Sequence, residues 1–412
     1  MLRRFKLYGF VKNQKYFEPF LYLALLDKLS FAGVGMLIGF RELCVIFMEI
    51  PSGAIADVLG RRRSMIISHL CYIAAFLTFA IANSIWWLFA AMFMFSIGEA
   101  FRTGTHKAMI FTWLQMENRS DEKIKIYGQT RSWSQLGSVL SIIIGATLVF
   151  TTQRYDIVFM LSIVPYAINI FNFMTYPQAL DGPHAAGVKP GQMLRTMTQS
   201  LRDACGNRKL RRALVEAMSF NGLHKSCKDW LGPMLRMVAL QAPLFVMMTD
   251  RRRETLLVGA VYIVLYFLSS LASRHADMVV RRAGSIRRGS RWLWMANLGV
   301  FLLLGAGILA GLGTIAIVAF VALAVVQNFW RPIIVARVAQ HADDSQTATI
   351  LSIESQTKTV FTAIAAPLLG WSIGMMSDEL RFLPLAVLGV LVTSVMLVTS
   401  RSDTTGSRPR LT

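Results

Sequence analysis

Ionisable side chains recur inside stretches of this sequence that are otherwise apolar. Glu18, Glu42, Glu49, Glu99, Asp229 and Glu354 supply carboxylates; Arg102, Arg131, Lys225, Lys228 and Lys358 supply positive charge; His106 and His224 can be neutral or charged. Carboxylates and imidazoles in apolar surroundings take up and release protons, and guanidinium groups bind anions through paired N–H donors. The chemistry on offer is recognition of a polar solute and proton exchange. Covalent chemistry has no support: no metal-ligand spacing, nucleophile motif or phosphate loop is present, and no Walker-type nucleotide site. The reading is of a non-enzyme without metal or cofactor.

A charged side chain at the centre of a membrane helix costs roughly 2.5–3.5 kcal/mol. Ten of them facing lipid would cost about 25–35 kcal/mol on the same scale, so they must face one another or water. Their spacing agrees. Glu42, Glu49 and Gly53 share one helical face, as do Glu99, Arg102, Thr103 and His106, and Asn221, Lys225 and Lys228 line a third. Together they describe a polar, water-accessible interior. Each group also has a plainer reading. Glu354 with Lys358, and Lys225 with Asp229, are four residues apart and can neutralise each other. Arg131, Arg331 and Lys107 lie near segment ends, where they can snorkel or close a gate. His106 and His224 can be hydrogen-bonded spacers. Glu18 is the hardest to explain in that way, being central, beside the helix-breaking Pro19 and with no local partner expected from the spacing.

The elements that must position these residues are apolar runs. With 412 residues, 54% hydrophobic and 16% charged, the chain falls well below the charged fraction of soluble domains, about a quarter. Runs long enough to cross a bilayer lie at roughly 31–54, 65–83, 85–108, 127–150, 157–176, 255–273, 292–312, 314–335, 347–370 and 381–399. Two more polar ones, at 7–27 and 211–234, bring the total to twelve.

The net charge of +20 falls in the connections between runs, not in a separate basic domain, which argues against nucleic acid as a partner. Arg3, Arg4 and Lys6, then Arg61 to Arg63, Arg119, Lys123 and Lys125, Lys189 to Lys209, and Arg281 to Arg291 mark alternate connections as cytoplasmic. The intervening ones, such as Asn83-Ser84 and Gly311 to Gly313, are nearly uncharged. Both termini are therefore expected in the cytoplasm, and the start does not resemble a cleavable signal. Arg251, Arg252 and Arg253 break the rule, falling in a connection placed outside. Cys44, Cys71, Cys205 and Cys227 have no metal or redox spacing.

Residues 178–210, rich in Pro and Gly and then basic, read as a cytoplasmic linker. It separates an N-terminal six-helix bundle at 1–177 from a C-terminal one at 211–400, followed by a tail at 401–412. A shift of 220 carries Gly53, Asp57, Arg61 and Arg62 onto Ser273, Asp277, Arg281 and Arg282, and a shift of 221 carries Ser134-Gln135 onto Ser355-Gln356. This faint repeat points to duplication.

Between the second and third runs stands Gly53-Ala-Ile-Ala-Asp57-Val-Leu-Gly60-Arg61-Arg62-Arg63. Gly53 permits close helix approach, Gly60 can take the positive φ of a helix-ending turn, and Asp57 can accept hydrogen bonds or pair with arginine. The stretch resembles the loop signature of the major facilitator superfamily, G-x-x-x-D-x-x-G-R-[RK]-x, with every defined position filled. The resemblance implies an all-α membrane protein of twelve transmembrane helices in two pseudo-symmetric six-helix bundles, with Gly53, Asp57, Gly60, Arg61, Arg62 and their second copies Asp277, Arg281 and Arg282 as the gating motif. Gly98 to Gly104 is similar to bacterial members of the superfamily without an assigned substrate. The fourth-helix pattern of Arg followed by Gln-Gly is not met by Arg102-Thr103-Gly104, and the fifth-helix antiporter pattern is absent around Gly137 and Gly145.

The expected function is secondary transport by alternating access, coupled to protons, by a monomer in the bacterial inner membrane. Eight basic candidates (Arg41, Arg102, Lys107, Arg131, Lys225, Lys228, Arg331, Lys358) against six acidic ones favour a small anionic or zwitterionic solute. The alternatives are a drug or lipophilic-compound exporter, and a non-transporting sensor or scaffold on the same fold.

Overall fold

The computed structural model describes residues 1–103, 105–119, 122–181, 202, 206–241, 247–339 and 347–401. Among them the regular elements are helices: α1 Leu2–Val11, α2 Leu21–Leu26, α3 Phe31–Leu59, α4 Arg61–Ile81, α5 Ile85–Arg102, α6 Thr105–Met116, α7 Lys123–Thr152 and α8 Asp156–Met174. A 3₁₀ turn follows at Gln178–Asp181. Then come α9 Arg208–Lys228, α10 Leu231–Gln241, α11 Asp250–Arg274, α12 Ala276–Ala283, α13 Ile286–Leu309, α14 Gly313–Ala339, α15 Thr347–Met375 and α16 Leu383–Arg401. Eight of these (α3, α4, α5, α7, α8, α11, α13 and α14) are long and apolar enough to cross a membrane.

Three of the twelve traverses are interrupted within runs that apolar length alone draws as continuous. The first splits into α1 and α2 around residues 12–20, where Gln14, Glu18 and Phe20 donate their N–H groups three residues back, to Val11, Lys15 and Phe17. Pro19 has no N–H with which to continue a helix through this stretch. The fourth splits between α5 and α6. The seventh splits between α9 and α10 at Asp229-Trp230; Pro233, three residues into α10, cannot donate to the Asp229 carbonyl. Backbone groups freed at such breaks are tolerated at membrane depth only inside protein or beside water.

The helices cluster into two compact units, Met1–Thr198 with Ala239–Tyr266, and Gln199–Val238 with Phe267–Thr412. In unit 1, α4 packs on α5 and α8, and α1 on α7; in unit 2, α13 packs on α14 and α16, and α9 on α15. The same pairing of third with fourth, third with sixth and first with fifth traverse thus occurs in both. Close approach explains the α1–α7 pair. A Cβ on Gly9 would lie 2.7 Å from the Thr130 carbonyl oxygen, and one on Gly145 would lie 2.8 Å from that of Tyr16. The boundary between units falls within α11, whose first half packs in unit 1.

Candidate functional site

Unit 1 gathers its polar groups around α5. Glu99 and Arg102 lie three residues apart and bridge each other on one helical face. The Tyr72 hydroxyl of α4 donates to Glu99 Oε2, and Arg102 Nε donates to that hydroxyl at 3.2 Å. Three residues before Tyr72 on the same helix, His69 is fully buried, its Nδ1 2.7 Å from the Met65 carbonyl oxygen. His106, on α6, packs its ring 3.9 Å from that of Tyr8 and edge-on to Phe5 at 5.5 Å. His69, His106 and Phe173 thus surround Tyr8. Glu18 sits in the break after α1; Lys15 Nζ lies 3.7 Å from its Oε2, and the Tyr266 hydroxyl donates to that oxygen at 3.4 Å. Glu18 therefore does have a local partner, contrary to the reading of its spacing, because the break after α1 lets Lys15 reach it; the tyrosine of α11 is too distant in sequence for spacing to reveal.

On α3, Glu42 is 1% exposed and accepts from Nε and Nη2 of the adjacent Arg41 at 3.0 and 2.7 Å. Arg41 Nη1 donates to the Tyr22 hydroxyl at 2.7 Å, so the pair is carried between α2 and α3. Glu49 lies two turns onward, next to Ile50-Pro51, and Gly53 follows one turn later on the same helix. The side chains of Asp57, Lys107 and Arg131 lie outside the described residues.

Gly60 joins α3 to α4 with φ of 89°, a conformation that L side chains adopt at a steric cost. The two arginines that follow are held inside unit 1. Arg61 Nη1 donates to Thr112 Oγ1 at 2.7 Å. Arg62 donates its backbone N–H to Asp181 Oδ1 at 2.7 Å and Nη1 to the Tyr176 carbonyl at 3.2 Å. Asp181 caps the free N-terminus of α4, where an acidic group meets unsatisfied N–H donors and the positive end of the helix dipole. In the second copy of the motif, Asp277 and Arg281 pair at 2.5 Å on α12, both largely exposed, and Arg282 is exposed beside them.

In unit 2, Glu354 is buried and accepts from Asn221 Nδ2 at 2.7 Å and Arg331 Nη1 at 3.2 Å. Gln327 Nε2 donates in turn to Asn221 Oδ1 at 2.8 Å. Lys358 lies one turn along α15 from Glu354. On α9, His224 and Lys225 lie one turn beyond Asn221, and Lys228 Nζ is 3.9 Å from Asp229 at the α9–α10 break. A second ion cluster joins Glu216 to Arg212 and to both terminal nitrogens of Arg337.

Arg251, Arg252 and Arg253, anomalous as loop charges, form the first turn of α11. Arg251 Nη2 donates to Asp27 Oδ2 at 2.8 Å, and its guanidinium lies 4.0 Å above the Tyr155 ring. Arg252 donates to the Phe150 carbonyl, and Arg253 to that of Leu240. The Tyr155 hydroxyl donates to Glu254, and burial together with that carboxylate pushes Tyr155 well above the usual phenol range. The arginines therefore satisfy helix ends and carboxylates of unit 1.

Residues that spacing alone did not single out include Tyr72, His69, Asp181, Glu216, Gln327 and Arg337. A signal exists for Glu216, a charged residue at a buried position of an otherwise helical pattern. Asp181 carries none, since its role depends on a chain reversal that brings it back to α4.

A family model described as the Major Facilitator Superfamily matches residues 13–366. The chain belongs to the major facilitator superfamily. This major facilitator protein is an integral membrane transporter, not an enzyme. It superposes on the nucleoside transporter NupG with TM-score 0.77 at 12% identity, covering 96% of this chain and 98% of that one. It superposes on a POT family transporter in complex with 5-aminolevulinic acid with TM-score 0.76 at 15% identity, covering 98% and 96%. At these identities the likeness establishes the fold. A curated relative, multidrug resistance protein MdtH of Edwardsiella ictaluri (strain 93-146), is 27% identical over 139 residues, which is 33% of this chain. The match spans about a third (34%) of that relative's length.

Proposed function

We propose that this transporter moves a small polar, anionic or zwitterionic solute by alternating access, with protons as the coupling ion. One observation carries the reading: each unit holds an acid–base cluster on interrupted or polar helices, Glu99–Arg102–Tyr72 in one and Glu354–Asn221–Arg331 in the other. Paired charges of both signs suit a solute that itself carries charge or strong dipoles, whereas a lipophilic cation favours an apolar pocket with isolated carboxylates. Nucleosides, peptides and 5-aminolevulinic acid are the first solutes to try, since the solved structures of similar fold include a nucleoside transporter, a peptide transporter and a transporter in complex with 5-aminolevulinic acid. The remaining residues of the reading are Glu18, Glu42, Glu49, His106, Arg131, His224, Lys225, Lys228, Asp229 and Lys358, as solute or proton contacts. The loop of Asp57, Gly60, Arg61 and Arg62 serves as the state-dependent latch. The protein sits in the bacterial inner membrane as a monomer with both termini cytoplasmic, its bundles at 1–177 and 211–400 joined by the 178–210 linker.

Proteoliposomes with an imposed pH gradient test this. Saturable uptake of one of these solutes, raised by the gradient and abolished in Glu99→Gln, is the expected result. A second reading, export of lipophilic compounds, draws on the similarity to MdtH. Transport of lipophilic cations with no effect of organic anions would replace the first reading by the second. Asp57→Asn is expected to slow transport; an unchanged rate refutes the latch.

A further inference from the structure

The hydrogen bonds around Glu354 form a chain with a forced direction. An ionised carboxylate only accepts, so the group of Asn221 facing Glu354 at 2.7 Å must be its NH₂. That turns Asn221 Oδ1 toward Gln327, and at 2.8 Å this oxygen requires a donor, so Gln327 presents its own NH₂. By elimination Gln327 Oε1 is the free end of the chain. It is buried and has no hydrogen-bond partner among the described residues. An unmatched buried acceptor is costly, and a solute N–H or O–H placed there would remove that cost.

We propose that Gln327 Oε1 is a solute-contacting acceptor and that the protonation state of Glu354, read through Asn221, sets its polarity. Deepening the proton-coupled reading above, the inference assigns this cluster a recognition role. With Glu354 ionised, the terminus accepts only and selects a solute group bearing N–H or O–H. When Glu354 takes a proton from water, the carboxyl gains one O–H donor and loses its charge attraction to Arg331. The direction of the chain is then no longer forced. The carboxyl can donate to Asn221 Oδ1, Asn221 to Gln327 Oε1, and Gln327 then offers its NH₂ outward. The acceptor the solute needs is withdrawn, and loss of the proton to water restores it.

The charged and titratable neighbours are few. On α14, Arg331 bonds Glu354 directly and Arg337 belongs to the Glu216 cluster. On α9, His224 and Lys225 lie one turn from Asn221, with Lys228 beyond; on α15, Lys358 lies one turn from Glu354; α16 carries none from Leu383 to Ser400.

Infrared difference spectroscopy between acidic and neutral pH, on protein carrying ¹³C-labelled glutamine side chains and reconstituted without solute, tests the relay. The expected wild-type spectrum pairs carboxyl protonation with a shift of a glutamine side-chain carbonyl band. That shift is lost in Gln327→Leu, which identifies it. In Asn221→Leu the carboxyl signal remains and the glutamine shift disappears; in Glu354→Gln the glutamine shift disappears together with the Glu354 share of the carboxyl signal, read as the difference from the wild type. A wild-type spectrum with no pH-linked glutamine shift, or a shift that survives in Asn221→Leu, overturns the relay. The wild-type measurement stands even where a variant fails to fold. Vesicles separate the two levels of the argument. Proton-driven uptake without the glutamine shift refutes the relay alone, and the shift without uptake of any solute refutes the transport reading alone.

Discussion

Glu216 offers the sharpest quantitative test of the packing in unit 2. It is 3% exposed, accepts from Arg212 Nε at 3.2 Å, and binds Arg337 through both terminal nitrogens, at 2.5 and 3.2 Å. The Arg337 side chain is only 12% exposed, so Glu216→Gln takes a carboxylate away from a largely buried guanidinium. Breaking one side of a buried pair costs about 3–5 kcal/mol. The control is Asp277→Asn on α12, whose pair with Arg281 is 63% and 74% exposed and belongs to the class worth about 0.2–1 kcal/mol. For a cooperative unit of this size about 1 kcal/mol moves Tm by roughly 2–4 °C. Glu216→Gln should therefore lower Tm by about 6–20 °C and Asp277→Asn by less than about 4 °C. Intrinsic tryptophan fluorescence in detergent at one fixed scan rate reads both, since unfolding of such proteins is commonly irreversible. The double variant Glu216→Leu with Arg337→Met should recover most of the loss, because removing both charges removes the penalty. A Glu216→Gln shift no larger than that of Asp277→Asn would refute the reasoning.

Gly145→Ala should lower Tm by several degrees, since its Cβ meets the Tyr16 carbonyl oxygen at 2.8 Å, whereas Gly299→Ala, with nothing within 4 Å, should be neutral or raise it slightly. Asp181→Asn should weaken the hold on Arg62, and hydrogen exchange should rise in the first turn of α4; unchanged exchange would show that the cap at 2.7 Å contributes nothing. Arg251→Gln removes both the Asp27 bridge and the stack on Tyr155, so exchange at the start of α11 should rise while that of α13 stays as in the wild type. Equal exchange in both proteins would detach those contacts from the placement of α11.

Much of the architecture could be read directly. Apolar length and the cost of lipid-exposed charge impose twelve traverses, whereas the interruptions near Pro19 and Pro233, inside runs that apolar length draws as continuous, came only with the fold. The Gly60-Arg61-Arg62 signature is local, requiring a turn between two helices. Partners were another matter. Glu354 has Lys358 one turn away, the pairing that spacing suggests, yet the bonds described run to Asn221 on α9 and Arg331 on α14. Arg251 to Arg253 looked misplaced among loop charges until the fold set them against Asp27, Phe150 and Leu240.

Helical periodicity tells which residues share a face, because that depends on a fixed rise and turn. Which face of another helix they meet depends on packing between segments hundreds of residues apart. From its own order of residues this protein determines a membrane-embedded helical chain with charged groups on shared helical faces; the pairing of Gln327, Asn221 and Glu354 into one directed chain was decided only when α9, α14 and α15 came together.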